Sequence, residues 1–217
     1  MAREHFAQKI LDIKHQVLRM GALVENIIDT AVTALETQDL DLAKKVYEKD
    51  DEIDRLELEI EKECVMLLAL QQPLAKDLRT IASVLKIVTD LERMGDNAVN
   101  IAGVTLEIGK APLLKPLADI PRMAEIAREM LKMSLDAFVN EDIALAKKAA
   151  GRDEEVDWLY ETVINDILNI ITEKKELTQQ GTKLLFIGRY LERIADHSTN
   201  ICERTIYMIT GELKEIN

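Results

Sequence analysis

The chain has 217 residues, of which 47% are hydrophobic but only 4% aromatic, and carries a formal charge of −12 with a pI near 4.8. So acidic a chain offers no Lys/Arg patch to neutralise a nucleic-acid backbone, and the same repulsion disfavours free phosphate and anionic lipid, which leaves a cation as the more natural small ligand. Four prolines and eight glycines give too little turn chemistry for a strand-rich fold, while the Ala, Leu, Ile, Glu and Lys bias is that of long packed helices.

Apolar residues recur at three- and four-residue steps in six segments, the signature of amphipathic helices. In the first, Ile10, Ile13, Val17, Met20, Val24, Ile27, Ala31 and Leu35 make one stripe that ends near Glu36. The second begins around Thr37 to Asp39, which are good N-cap types, and runs to the break at Gln71-Gln72-Pro73. The third spans Leu74 to Gly109. The segment Ala111-Pro112-Leu113-Leu114-Lys115-Pro116 is too rich in proline to continue a helix. A fourth helix then runs from Leu117 to Val139, a fifth from Asn140 to Lys174 and a sixth from Thr178 to Gly211.

Short connections between three helices give an up-down-up bundle. The expected fold is therefore all-α, with two tandem, pseudo-symmetric three-helix bundles over residues 1–111 and 112–217. At roughly 1.5 Å per residue, helices of this length make rods of about 40–50 Å, a shape suited to docking partners along its sides more than to enclosing a pocket.

Two phrases support the duplication. Leu91-Glu92-Arg93-Met94-Gly95-Asp96-Asn97-Ala98-Val99-Asn100-Ile101 returns as Leu191-Glu192-Arg193-Ile194-Ala195-Asp196-His197-Ser198-Thr199-Asn200-Ile201. Asp39 to Asp54 aligns with Asp142 to Asp157 at an offset of 103, and half of those positions are identical.

On the third helix Glu92, Asp96 and Asn100 stand four residues apart and form a slowly drifting line on the flank of the apolar stripe. Two acids at this spacing repel, and for one isolated pair a solvated acidic face with nearby arginines is the simpler account. The neighbouring helix changes the balance. Helices two and three turn back on each other near Gln71 to Leu74, which sets Asp50 and Asp54 against Glu92 and Asp96. The second half repeats the pairing, with Asp153 and Asp157 against Glu192, Asp196 and Asn200. Oxygen donors of this kind suit magnesium, calcium, manganese or iron, and zinc less typically.

Other features read more plainly. The acids that follow Asp54 (Glu57, Glu59, Glu61 and Glu63) outnumber what one site could use, and most of this run is expected to be solvated. His197 follows a candidate ligand but is expected to be solvent-facing. Trp158, Met123, Met130 and Met133 read as core or partner surface. Cys64 and Cys202 lack any Cys-x-x-Cys spacing and are expected to be buried apolar residues in a reducing compartment. The N-terminal residues form no signal-peptide run, and no apolar stretch approaches about 20 residues, so a water-soluble cytoplasmic protein is expected.

The tandem phrases LERMGDNAVNI and LERIADHSTNI, with Asp50-x-x-x-Asp54 and Asp153-x-x-x-Asp157 on the preceding helices, resemble the PhoU family over essentially the whole chain. The resemblance implies metal clusters, iron first and zinc or other divalent ions in some members, seated on Asp50, Asp54, Glu92, Asp96, Asn100 and on Asp153, Asp157, Glu192, Asp196, Asn200. It also implies a non-catalytic negative regulator of phosphate uptake and the phosphate-starvation response. Its expected partners are the ATPase subunit of the Pst phosphate transporter, a PhoR-type sensor histidine kinase and a second copy of the chain. Membrane contact is expected only through those partners.

Two other classes compete. A di-metal carboxylate oxidase built on a helical bundle needs Glu-x-x-His, yet Gly95 and Ala195 stand three residues after Glu92 and Glu192. In a metal-free helical scaffold the acids would serve solubility alone.

Overall fold

The computed structural model describes residues 2–70, 73–212 and 216, and among them no strand occurs. The helices are α1 (Ala2–Thr37), α2 (Leu40–Leu70), α3 (Ala75–Ile108), α4 (Asp119–Asn140), α5 (Ile143–Ala150), α6 (Asp153–Glu173) and α7 (Thr178–Thr210), with a 3-10 turn at Lys175–Leu177 before α7. The first bundle is α1, α2 and α3. The second is α4, the broken helix α5–α6, and α7. Gln71 and Gln72, at the expected turn between the second and third helices, lie outside the described residues.

The duplicated sequence produces duplicated corners. Gln38 and Glu141 take left-handed φ values of 50° and 55°, and the amides of Asp39 and Asp142 bond back to the carbonyls of Ala34 and Ala137, closing the preceding helices. Asp39 then caps α2, its Oδ1 accepting from the amides of Asp41 and Leu42 at 3.0 Å each. Asp142 caps α5 in the same way, accepting from the amide of Leu145 at 3.0 Å. Such caps contribute about 1 kcal/mol each.

The expected fifth helix is two helices. Apolar periodicity runs unbroken through this stretch, but Gly151 stands where the first half has Glu48, and a glycine weakens a helix interior by about 1 kcal/mol relative to alanine. At the break the amide of Arg152 bonds to the carbonyl of Ala149 at 3.1 Å, a tighter turn than α-helix. Arg152 reaches Glu129 of α4 and Glu155 of α6, while Asp153, Glu154 and Glu155 restart the helix with acids in its first turn, where the helix dipole favours them.

One hydrophobic core runs through both halves, from Val24, Ile53, Leu91 and Met94 to Met123, Phe138, Leu191 and Ile194. Burying a side chain such as Phe138 contributes about 1.5–3 kcal/mol. The most extensive packing joins α3 to α7, so the phrase-bearing helices lie side by side at the centre. Cys64 and Cys202 are buried and unpaired. No helix among the described residues is long and apolar enough to cross a membrane.

Candidate functional site

The groove between α2 and α3 carries the first acidic constellation. Asp50 is half-buried on α2, and a Cβ added to Gly95 of α3 would lie 2.8 Å from its Oδ1 and 3.4 Å from Ile53 Cδ1. Glycine at 95 thus lets this carboxylate rest directly on the α3 backbone. Asp54 follows one turn later on α2, and Glu92 and Asp96 face it from α3.

Crowding of like charges in a partly desolvated groove shifts these groups together. Burial pushes the Asp50 carboxyl up to about 7, with Asp54, Asp96 and Glu92 adding to the effect. Burial, then Asp96, raises Asp54. Glu92 is raised by burial and by Asp96, against the opposing pull of Arg93. Glu57 belongs to the same groove. Its carboxyl is pushed to about 7 by burial and then by Glu92 and Glu61, so it faces the site and is not the solvated acid expected from sequence. Its signal was present, since it lies three residues after Asp54 and the antiparallel pairing sets it opposite Thr89 and Glu92.

The second groove, between α6 and α7, is similar without being identical. Asp157 is raised by burial and by Asp196, and Glu192 by burial and Asp196, with Arg189 opposing. Arg189 Nη1 donates directly to Glu192 Oε1. Asp153 is 5% exposed at the first residue of α6. Tyr160 takes the position of Glu57, its ring seated over Gly188, where a Cβ would meet it at 2.9 Å.

The two asparagines part company. Both are exposed, but Asn200 Nδ2 donates to Asp90 Oδ1 of α3 at 3.2 Å. His197 joins the same carboxylate, its Nδ1 2.9 Å from Asp90 Oδ1, with only 16% of the side chain exposed. The expected solvent-facing histidine is thus a bridge between the bundles, made because α3 and α7 pack along their length.

The groove carboxylates are oxygen donors, the type a hard or borderline cation takes. Glu92 Oε2 and Glu192 Oε2 are buried without a hydrogen bond at equivalent places in the two halves. Arg93 Nε stands 3.3 Å from Glu92 Oε2 outside hydrogen-bonding geometry, and its Nη1 donates to Asp96 at 3.0 Å. Among the described residues, no three His, Cys, Asp or Glu side chains are gathered closely enough to enclose an ion. The carboxylates lean instead on Arg93 and Arg189, as mutual repulsion requires when arginine is the nearest positive charge.

The PhoU domain matches residues 17–105 and again 120–205, one copy per bundle. The chain belongs to the PhoU family. It is 41% identical to the phosphate-specific transport system accessory protein PhoU homolog of Clostridium acetobutylicum over 218 aligned residues, covering 100% of both chains. The Aquifex aeolicus homolog of the same name is 41% identical over 206 residues, 95% of this chain and 93% of that one. Among solved structures, PhoU from Pseudomonas aeruginosa superposes with a TM-score of 0.90 at 36% identity, covering 95% of this chain and 100% of that chain. The phosphate transport system regulatory protein PhoU from Streptococcus pneumoniae gives 0.89 at 33% identity, covering 96% and 99%. The fold is thus shared with these two solved PhoU structures, and in this chain it presents the acidic phrase once per bundle on α3 and α7.

Proposed function

We propose that this chain is a metal-bearing, non-catalytic adaptor that restrains phosphate uptake and the phosphate-starvation response. It would do so in the cytoplasm, as a homodimer, by joining the ATPase subunit of a Pst-type transporter to a PhoR-type sensor kinase. The observation that carries the reading is the recurrence of one acidic groove, with one buried and hydrogen-bond-free Glu oxygen, at equivalent positions of a two-bundle PhoU fold. Relatives matching 100% and 95% of the chain are named as accessory proteins of the phosphate-specific transport system, which supports the regulatory half.

In this reading Asp50, Asp54, Glu57, Glu92 and Asp96 hold cations in the first groove, and Asp153, Asp157, Glu192 and Asp196 in the second. A bound cation supplies the positive charge that lets facing carboxylates come together. The residues themselves position the oxygen donors on two rigid helices, and so fix the spacing of the helix faces offered to partners. Long exposed helix flanks suit docking more than turnover.

Deleting the gene should switch on phosphate-starvation genes in phosphate-rich medium, and restoring the intact chain should silence them. Unchanged expression on deletion would remove the regulatory role. Pull-down of the transporter ATPase and the sensor kinase, with and without chelator, tests whether cations support docking. Loss of both partners on chelation is the expected result.

A further inference from the structure

We propose that the outer face of α6 around Trp158 docks a cationic amphipathic helix of a partner protein, which rests on the adaptor reading above and gives it a surface. Trp158 is the single tryptophan of the chain and is 65% exposed, beside a groove of about 420 Å³ between α4 and α6. Ile126 and Leu159, both buried, form the floor of the groove, and Arg122, Glu154 and Glu155 its rim. The fold does not require an aromatic residue here. At the equivalent position of α2 the duplication puts Arg55, next to the equivalent Leu56, and the Arg55 Nε turns back to donate to the Asp51 carbonyl at 2.9 Å. That half packs without a ring, so the ring at 158 is not there to hold its bundle together.

Spacing, shape and charge together define the occupant. Glu154, Trp158, Glu161, Asn165 and Leu168 are all exposed and follow one another in steps of four, three, four and three, the spacing along which one helix packs on another. Trp158 and Leu168 are the apolar contacts of this line, about 15 Å apart at 1.5 Å per residue, and the groove beside Trp158 receives an apolar side chain. Charge decides the rest. Arg122 is paired with Glu125, and Arg152 with Glu129 and Glu155, whereas Glu154 and Glu161 pair with no cation among the described residues. An approaching helix therefore meets a tryptophan with an uncompensated carboxylate one turn away on either side. Lysine or arginine flanking its apolar residue complements both. The same carboxylates repel an anionic lipid surface. The matching line on α2 is Asp51, Arg55, Leu58, Lys62 and Val65, with cations in place of Trp158 and Asn165, and it offers a basic helix no such complement.

The test uses the full chain, with Trp158 as its own reporter. The probe is a synthetic helical peptide with leucine at alternating three- and four-residue steps and lysine beside each, compared with versions in which glutamine or glutamate replaces lysine. The lysine peptide should saturate, shift the Trp158 emission to the blue and bind about tenfold tighter than the glutamine peptide, and the glutamate peptide should not bind. Read by the anisotropy of a labelled lysine peptide, Trp158→Ala should weaken binding about tenfold or more, and Glu154→Gln combined with Glu161→Gln about fivefold. Leu58→Ala on α2 should leave binding unchanged. Circular dichroism of each variant checks that the helices persist. Absence of saturable binding, or binding untouched by Trp158→Ala or by loss of both carboxylates, would overturn the site. A blue shift that grows with protein concentration in the absence of peptide would also overturn it, by showing that a second copy covers this face. None of these results touches the regulatory reading, which fails on unchanged gene expression after deletion.

Discussion

At the scale of single residues, the first groove stores repulsion that pH can release. Asp50 and Glu57, both pushed up to about 7 by burial, hold protons in the fold that the unfolded chain has already released above about pH 4. Their contribution to stability is complete below the ordinary carboxyl range and is lost as pH rises through about 7. Glu141 and Glu129 act oppositely, because hydrogen bonds from Lys76 and from Arg152 hold them low, and their contribution is lost only under more acidic conditions. Chelator-treated protein should therefore melt at progressively lower temperature as pH is raised from about 5 to about 8. Asp50→Asn should flatten that slope and raise the melting temperature at pH 8, while weakening cation uptake. A melting temperature that rises across the same window would contradict this account of the groove. Asp50, Asp54, Glu92 and Asp96 could be found in the sequence because each has a copy in the other half. Glu57 could not be found by that filter, since duplication hides whatever only one half possesses. The bridge from Asp90 to His197 and Asn200 escaped for another reason: it joins helices of different bundles, and antiparallel pairing within a bundle says nothing about it.

At the scale of elements, the spacing of α2 from α3 depends on the missing side chain at Gly95. A methyl group there would press on Asp50 Oδ1 and on Ile53, which sits in the core with no exposure, so α2 has to move outward or Asp50 has to turn away. Gly95→Ala should destabilise the protein by about 1–3 kcal/mol despite the better helix propensity of alanine, as overpacking typically does. The counterpart Ala195 is buried within a helix that already accommodates its methyl, and Ala195→Gly should cost about 1 kcal/mol through propensity alone. Urea denaturation of the two variants distinguishes these effects, and a Gly95→Ala protein as stable as wild type would show that the groove has room to spare. Helix order and most boundaries were legible because apolar periodicity and N-capping aspartates are local signals. The break before Asp153 was not, since the stripe is continuous across it and only the exchange of Glu48 for Gly151 marks the place.

At the scale of the whole molecule, the duplicated bundles do not behave as separate bodies. The hydrophobic core is continuous across α3 and α7, Glu141 of the second half accepts from Lys14 on α1 and Lys76 on α3, and Asp90 holds His197 and Asn200. The halves approach closely at Gly21 of α1, where an added Cβ would fall 2.1 Å from Leu135 Cδ1 of α4. A methyl there forces Leu135, itself only 5% exposed, out of its packing, at a cost of about 1–3 kcal/mol. The chain has a single tryptophan, Trp158 on α6, so its fluorescence reports on the second bundle while circular dichroism reports on all helices. If the halves unfold as one unit, Gly21→Ala should shift the denaturation midpoints of both signals together and by the same amount. Independent bundles would instead split the circular dichroism transition. A cation that draws α2 onto α3 would then be felt along α7 through the shared core, and Mn²⁺ should raise the Trp158 midpoint even in a Glu192→Gln variant whose second groove is impaired.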